Sequence, residues 1–387
     1  LFAKGTTLDL TSYLMMRGST RHSLQQIIDK AIAASGGASG SSNGNGMVIN
    51  VQAKQDKFAD FLAFILEVIQ QPTFALTEFD LAKNQSLAML DRTYTEPTTV
   101  ASMTLARLLE TYPAGDLRYH FEPEFAKQQL TAASQAQVKQ FYEQFFVTHH
   151  AQIAMTGDFD AKQMQATLQK VFGTWQAKHP YRKVTGQYTP YKAQKIHALS
   201  EQREFGSYQS VLTFPVGAYH ADAAALQVFR HILGDSQLSS RLAQQLREKN
   251  ALVYGFGSDL HLDANVDDGS LSISANYSSG RSAQVSQTVH QVLKDLLTKG
   301  VTAQEVEAAK ADIMKKRVTA LDDERRIHGM LTGQLERNKT LLDRAERDQE
   351  IAKLSKDDVN AVIKKYIKLD QFVEVMADQY GTAQSKK

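Results

Sequence analysis

The sequence contains no cysteine, and this absence removes several classes of site at once. A disulfide framework, a zinc site built on thiolates and a cysteine nucleophile are all excluded. A chain without cysteine fits the cytosol, where disulfides are rare, and equally the periplasm, where it avoids mispairing. Cysteine usage therefore does not choose a compartment.

An excess of charge of one sign is also missing, since 44 Lys and Arg residues stand against 42 Asp and Glu residues. This balance gives no reason to expect nucleic acid or an anionic membrane as a partner. The longest apolar run near the first helices, Phe61–Leu66, is far shorter than the roughly 20 residues that span a bilayer. The chain begins with Leu1 and shows no signal-peptide pattern, so we expect a processed or excised part of a longer protein.

With 387 residues, 42% of them hydrophobic, the sequence predicts a globular protein of two or three domains. An internal repeat indicates how these domains arise. The segment "FALTEFDLAKNQSLAML" (Phe74–Leu90) is similar to "VTAQEVEAAKADIMKKR" (Val301–Arg317), and Glu305 follows Glu78 by 227 residues.

The elements before these segments also recur. Apolar residues at three- and four-residue steps predict amphipathic helices over Phe58–Gln71 and Val285–Gly300. Alternating apolar and polar residues predict strands over Met47–Ala53 and Ser270–Tyr277. We therefore predict an α+β protein of two repeats, each a mainly antiparallel sheet with helices packed on one face.

The predicted division places the first repeat at 1–178, a linker at 179–194 and the second repeat at 195–387. The linker contains two prolines and several polar residues, as connecting segments often do. Near the end of the first repeat, "AQIAMTGDF" (Ala151–Phe159) predicts a strand. The glycine- and serine-rich segment Gly36–Gly46 predicts a flexible loop between a helix and a strand, and it lacks the Gly-Lys-Ser/Thr ending of a phosphate loop.

In several phrases the sequence resembles the M16 metallopeptidases, the insulinase or pitrilysin family. The resemblance extends from near Leu10 to near Asn338 and therefore covers most of the chain. The matching phrases are "LMMRGSTRHS", the Gly36–Gly37 pair, "QQPTFALTEFDLAK", "MTGDFD", "FGTW" and "SSRLAQQLREKNALVYGFGS".

Active members of this family carry a His-x-x-Glu-His motif, in which two histidines on one helix face bind zinc and the glutamate activates a water molecule. The phrase Arg17–Ser19 matches the family segment that follows this motif, so the motif falls on "DLTSY". Asp9 and Tyr13 then occupy the histidine positions, and Ser12 occupies the glutamate position. The family's third ligand, a glutamate, falls near Asp91, and one carboxylate alone does not hold zinc.

The resemblance therefore implies the non-catalytic C-terminal half of a two-half peptidase, which closes against a catalytic half to form a peptide-degrading chamber. This chain alone is predicted to be inactive and to hold no metal, with zinc in the catalytic half. The implied partners are that half, on the same polypeptide or as another subunit, and peptide substrates. The implied compartment is the periplasm, with the cytoplasm as the alternative.

Arg247 and Tyr254, in "LREKNALVYGF", are the predicted substrate-binding residues. Arg247 is predicted at the end of a helix and Tyr254 at the start of a strand. In the family, an Arg and a Tyr in this phrase bind the substrate backbone near the scissile bond and stabilise the tetrahedral intermediate, and their N–H and O–H donors suit a carbonyl or an oxyanion. From spacing alone, two alternatives remain: a solvated arginine on a helix, and a core tyrosine whose hydroxyl contacts solvent.

Other polar groups are interpreted without a catalytic role. The adjacent His149 and His150 are expected at the surface or behind a site, and the acidic segment His261–Gly269 is expected to be a solvated turn. Two other functions stay open: a separate non-catalytic subunit that pairs with a catalytic one, and a purely structural module without a peptidase partner. Retention of Arg247 and Tyr254 favours a peptidase role over the structural one.

Overall fold

The fold comes from a computed structural model, which describes residues 2–42, 46–93, 95–113, 116, 118–120, 122–146, 151–173, 183–201 and 204–382. Two units, each packed mainly against itself, make up the chain. The first unit comprises Leu1–Asp91 and Tyr112–Val184, and the second comprises Arg92–Thr111 and Thr185–Lys387. The predicted boundaries at residues 178 and 195 stay a prediction.

The first unit is mainly helical, and its apolar side chains form one core. On the buried face of its third helix, Phe61, Ile65 and Ile69 recur at four-residue steps and are at most 1% exposed. The elements up to residue 172 are α1 (Phe2–Leu14), α2 (Leu24–Ala33), β1 (Gly37–Ser42), β2 (Met47–Gln52), α3 (Gln55–Gln70), α4 (Leu76–Thr93), α5 (Pro97–Leu108), α6 (Pro123–Ala132), α7 (Gln135–Phe145) and α8 (Ala161–Phe172). All of these belong to the first unit except α5 and the last two residues of α4.

The strands β1 and β2 form an antiparallel hairpin. The prediction of a flexible loop across Gly36–Gly46 was therefore wrong for Gly37–Ser42, which is β1. Small residues are needed here because α1 packs directly on the strand. A Cβ on Gly40 would lie 2.1 Å from the carbonyl oxygen of Ser12.

The strand predicted over Ala151–Phe159 is not formed within the described part of the chain, because residues 151–156 pair with no other described segment. Met155 and Phe159 instead pack against the helical core of the first unit. The helix α8 follows this segment, and Gly173 is its C-cap.

The second unit is built on a five-stranded sheet with the order β3-β7-β4-β6-β5. All neighbouring strands are antiparallel except β3 and β7. This arrangement confirms the predicted α+β class. The elements are β3 (Gln194–Leu199), β4 (Phe205–Phe214), α9 (Ala223–Arg230), β5 (Val253–Leu262), β6 (Gly269–Ser278), α10 (Ser282–Lys299), α11 (Ala303–Thr319), α12 (Glu324–Glu336), α13 (Leu341–Lys353), α14 (Lys356–Tyr366) and β7 (Val373–Asp378).

Two π-helical segments, His231–Asp235 and Ala243–Lys249, follow α9. One face of the sheet and the surrounding helices enclose the main core of this unit. The other face is covered by α5, against which Val373, Val375 and Ala377 of β7 pack. The alternation of β7 turns Glu374 and Asp378 toward α10, and both carboxylates are at most 4% exposed.

The helix starts support the predicted repeat. The helices α10, α11 and α12 each begin 227 residues after α3, α4 and α5, respectively. Thr302 is the N-cap of α11, since its side chain and that of Glu305 form a capping box at the start of this helix. Across the described parts of the chain, no helix has the length and apolar character needed to cross a membrane.

Candidate functional site

Arg247 lies in the last turn of the π-helical segment Ala243–Lys249, at the end of a helix as the sequence predicts. Leu246 is buried beneath this turn, and the Arg247 side chain is exposed. Segments of π-helix are rare and often occur at functional sites. The chain then leaves the helix through Ala251, whose φ of 47° is left-handed.

Tyr254 follows at the start of β5, an edge strand of the sheet. Val253 pairs with Tyr277 and Gly255 pairs with Asn276, so Tyr254 is the extra residue of a β-bulge. A bulge turns one side chain out of the regular alternation of a strand and is common beside active sites. Tyr254 is accordingly 70% exposed, which excludes the alternative of a core tyrosine.

The two predicted substrate-binding residues therefore flank one short loop, 250–253. Two further residues at the same place were missed by the sequence reasoning. The hydroxyl of Ser278, at the end of β6, lies 2.7 Å from the hydroxyl of Tyr254. Arg281 is held to the same turn, since its backbone N–H donates to the carbonyl of Ser278 at 3.2 Å.

No sequence signal connects Ser278 to Tyr254, because their contact depends on the register between β5 and β6. Beside this turn lies a solvent-open depression of about 390 Å³. Its lining is mostly polar and consists of Asn250, Leu252, Arg281, Gln284, Gln287 and Thr288. Together with Arg247 and Tyr254, these residues define the candidate site on the second unit.

The three degenerate zinc-motif positions lie on α1 in the first unit, and each side chain makes a different contact. The Asp9 carboxylate accepts a hydrogen bond from the Ser42 hydroxyl. Ser12 is fully buried and donates to the carbonyl of Leu8 at 2.8 Å. Tyr13 is 43% exposed and stacks with Arg17, whose guanidinium carbon lies 5.1 Å from the ring centre.

Asp91, at the position of the family's third ligand, forms an ion pair with Lys127 at 2.7 Å. An ammonium group therefore lies where a metal would need a free carboxylate. The whole described part of the chain holds no cluster of three or more His, Asp or Glu side chains arranged to hold a metal ion.

The acidic segment His261–Gly269 is a turn between β5 and β6. The Asp263 carboxylate caps this turn by accepting hydrogen bonds from the backbone of Asn265 and Val266, and Asp267 accepts from the backbone of Gly217. These contacts show a structural use for two of its carboxylates. His149 and His150 lie outside the described residues.

Known proteins are similar to this chain in sequence and in fold. Residues 132–313 match the family model of the peptidase M16 inactive domain. An uncharacterized zinc protease of Mycobacterium leprae is 25% identical over 265 residues, which make up 67% of this chain and 57% of that protein. The chain spans about half the length of the curated relatives that it matches.

Solved structures share the fold. A peptidase M16 inactive domain from Pseudomonas fluorescens has a TM-score of 0.82 at 21% identity, and the match covers 98% of this chain and 90% of that chain. The periplasmic protease PqqL from Escherichia coli has a TM-score of 0.75 at 14% identity, and the match covers 97% of this chain but 41% of that chain. Residues 132–313 are therefore similar in sequence to the peptidase M16 inactive domain, and the chain shares the fold of these solved structures.

Proposed function

We propose that this chain is the non-catalytic, substrate-binding and chamber-closing half of an M16 zinc metallopeptidase that degrades peptides. Arg247 and Tyr254 hold the substrate backbone, and their donors stabilise the oxyanion that forms at the scissile carbonyl. The observation that carries this proposal is the β-bulge at Tyr254. It presents a large aromatic side chain with a hydroxyl donor to solvent, directly after the turn that carries Arg247.

The catalytic chemistry belongs to a partner half in this proposal. The degenerate positions Asp9, Ser12 and Tyr13 supply neither two imidazoles nor a base, so zinc is expected in the partner rather than here. The proposed partner is a catalytic M16 half, on the same polypeptide or as another subunit. The match to only 41% of the PqqL chain supports a two-half arrangement, and the periplasmic description of that protein supports a periplasmic location.

Two alternatives make different predictions. A separate non-catalytic subunit would have its own start codon and signal sequence, which the coding sequence upstream of this segment would show. A fused half would instead continue upstream into a His-x-x-Glu-His motif. A purely structural module would have no affinity for extended peptides and no dependence on Arg247 or Tyr254.

The test is peptide turnover by the assembled peptidase that contains this chain. Tyr254→Phe removes one oxyanion donor and should lower kcat by about 100-fold. Tyr219→Phe is the matched control, because Tyr219 is also exposed, at 45%, but contacts Lys339 instead. Unchanged turnover in Tyr254→Phe would remove this residue from the mechanism.

A further inference from the structure

We propose that the depression beside Tyr254 is a subsite for a carboxylate of the bound peptide, and that Arg281 is the residue that selects it. This inference rests on the proposed function, because it takes Arg247 and Tyr254 as the residues that hold the peptide. It adds a substrate preference that the Arg-Tyr pair does not provide, since backbone contacts are the same for all peptides.

The position of the depression links it to the peptide. Asn250 and Leu252 form part of its lining, and both belong to the loop between Arg247 and Tyr254. The remaining lining residues come from the first turns of α10 and from Arg281, which precedes that helix. A peptide held by the loop therefore passes beside the depression.

The turn between β6 and α10 brings Arg281 close to Tyr254. The Tyr254 hydroxyl contacts Ser278 Oγ at 2.7 Å, and the Ser278 carbonyl accepts from the Arg281 N–H at 3.2 Å. One short turn thus carries both Ser278, whose hydroxyl contacts the proposed oxyanion donor, and the backbone of Arg281.

The charge of Arg281 is not neutralised. Arg230 and Arg241 of the same unit form ion pairs with carboxylates at 3.0 Å and 2.5 Å. Arg281 has no ion pair with any residue that the structure describes. As the N-cap residue of α10, it also makes no side-chain capping hydrogen bond, so its five N–H donors are available to a ligand.

The other lining residues favour the same chemistry. None of the six residues is acidic, and the side chains of Asn250, Gln284 and Gln287 carry amide N–H donors. A carboxylate can accept two parallel hydrogen bonds from a guanidinium group, which is the strongest pairing available to this site in a peptide. A lysine or arginine side chain would be repelled. The carboxylate can belong to Asp, to Glu or to the C-terminus of the peptide.

The experiment measures equilibrium binding of labelled short peptides to the full 387-residue chain by fluorescence anisotropy. One glutamate is moved along a neutral peptide, each version is compared with its glutamine counterpart, and each is made as a free acid and as a C-terminal amide. The first comparison detects a side-chain carboxylate and the second detects a chain end. We expect one of these carboxylates, at one position, to tighten binding by about tenfold.

Arg281→Ala should abolish this preference, so that acidic and neutral peptides bind alike, while Arg281→Lys should keep part of it. Arg325→Ala is the matched control, because Arg325 is an exposed arginine elsewhere in the same unit. Since Arg281 is exposed and caps nothing with its side chain, the variant should unfold at the same temperature as the parent.

Two different failures are distinguishable. If neutral peptides bind through Tyr254 but acidic ones bind no better, or the preference survives in Arg281→Ala, the subsite is wrong and the proposed function stands. If no peptide binds and turnover by the assembled peptidase does not depend on Tyr254, the proposed function is wrong, and the proposed subsite is wrong as well.

Discussion

The hydroxyls of Tyr254 and Ser278 lie 2.7 Å apart. Tyr254 is at the start of β5, and Ser278 is at the end of the neighbouring strand β6. Tyr254 is largely exposed and has no cross-strand partner, so few packing contacts restrict its ring. The hydrogen bond to Ser278 therefore fixes where the phenol oxygen lies. Ser278 acts as a positioning residue for a tyrosine whose own role is proposed to be binding of the oxyanion.

Ser278→Ala is expected to lower kcat of the assembled peptidase by about fivefold, the equivalent of one neutral hydrogen bond of about 1 kcal/mol. KM should change little, because Arg247 and the rest of the site remain. Ser278→Thr keeps the hydroxyl and should restore most of the rate. Steady-state kinetics on the three proteins measures this, and equal loss in Ser278→Ala and Ser278→Thr would contradict a positioning role.

The isolated chain is expected to bind no stoichiometric zinc. Asp9, Ser12 and Tyr13 of α1 are each engaged in other contacts, and the Asp91 carboxylate is paired with Lys127. Metal analysis of the purified chain after incubation with zinc and desalting provides the measurement. A 1:1 zinc content with EDTA-sensitive peptide cleavage by this chain alone would contradict the interpretation of "DLTSY".

Glu374 is a buried carboxylate with three partners in the core of the second unit. It accepts hydrogen bonds from Tyr208 at 3.1 Å and from Ser286 at 2.9 Å, and His290 lies against its other oxygen. Lys195 contacts Ser286 at 2.7 Å and adds positive charge. Burial opposes ionisation, but the hydrogen bonds and the charges of His290 and Lys195 outweigh it and lower the pKa of Glu374.

The sign of the pH effect follows from this pKa. Because the folded-state pKa of Glu374 lies below its ordinary value of 4.5, the carboxylate stabilises the folded state above that pH. This stabilisation is lost as the pH falls through the lower folded-state value. Glu374→Gln should therefore lower the unfolding free energy by about 2 kcal/mol at neutral pH, and by less in acid.

Urea unfolding of the parent and Glu374→Gln at a series of pH values tests this expectation. Glu350→Gln is a suitable control, since that side chain is 55% exposed and pairs only at the surface with Arg347. If the unfolding free energies of the parent and of Glu374→Gln differ by the same amount from neutral pH into acid, Glu374 stabilises the fold by its shape rather than by its charge.

Local sequence patterns predicted helices and strands better than they predicted which distant residues these elements contact. The apolar period of α3 and α10 is a property of neighbouring residues, and it identified these two helices from the sequence. The paired carboxylates of β7 were missed because their partners are distant in sequence: Tyr208 precedes Glu374 by 166 residues. A segment such as "FVEVMADQ" predicts a strand, but not what Glu374 meets.

The same limit applies to the candidate site. The resemblance identified Arg247 and Tyr254, but the bulge that exposes Tyr254 arises from a one-residue shift in the pairing of β5 with β6. Likewise, the packing of α5 on the sheet of the second unit joins segments far apart in sequence. Registers and long-range packing are set by the whole fold, and therefore no local pattern reports them.

Two glycines of β1 offer a matched test of how closely α1 packs on the hairpin. A Cβ on Gly40 would lie 2.1 Å from the Ser12 carbonyl oxygen, whereas a Cβ on Gly37 would meet nothing within 4 Å. Gly40→Ala should therefore force α1 away from β1 and destabilise the first unit by about 2 kcal/mol. Gly37→Ala should stabilise it by about 0.5 kcal/mol, because alanine restricts the unfolded chain.

Hydrogen exchange of the β2 amides, followed by mass spectrometry, reports on this hairpin separately from the second unit. Exchange should be faster in Gly40→Ala and equal or slower in Gly37→Ala. The comparison also bears on the degenerate zinc motif, because the Ser12 backbone that Gly40 contacts lies within it. Equal exchange in the two variants would mean that α1 does not rest on β1 as closely as the structure has it.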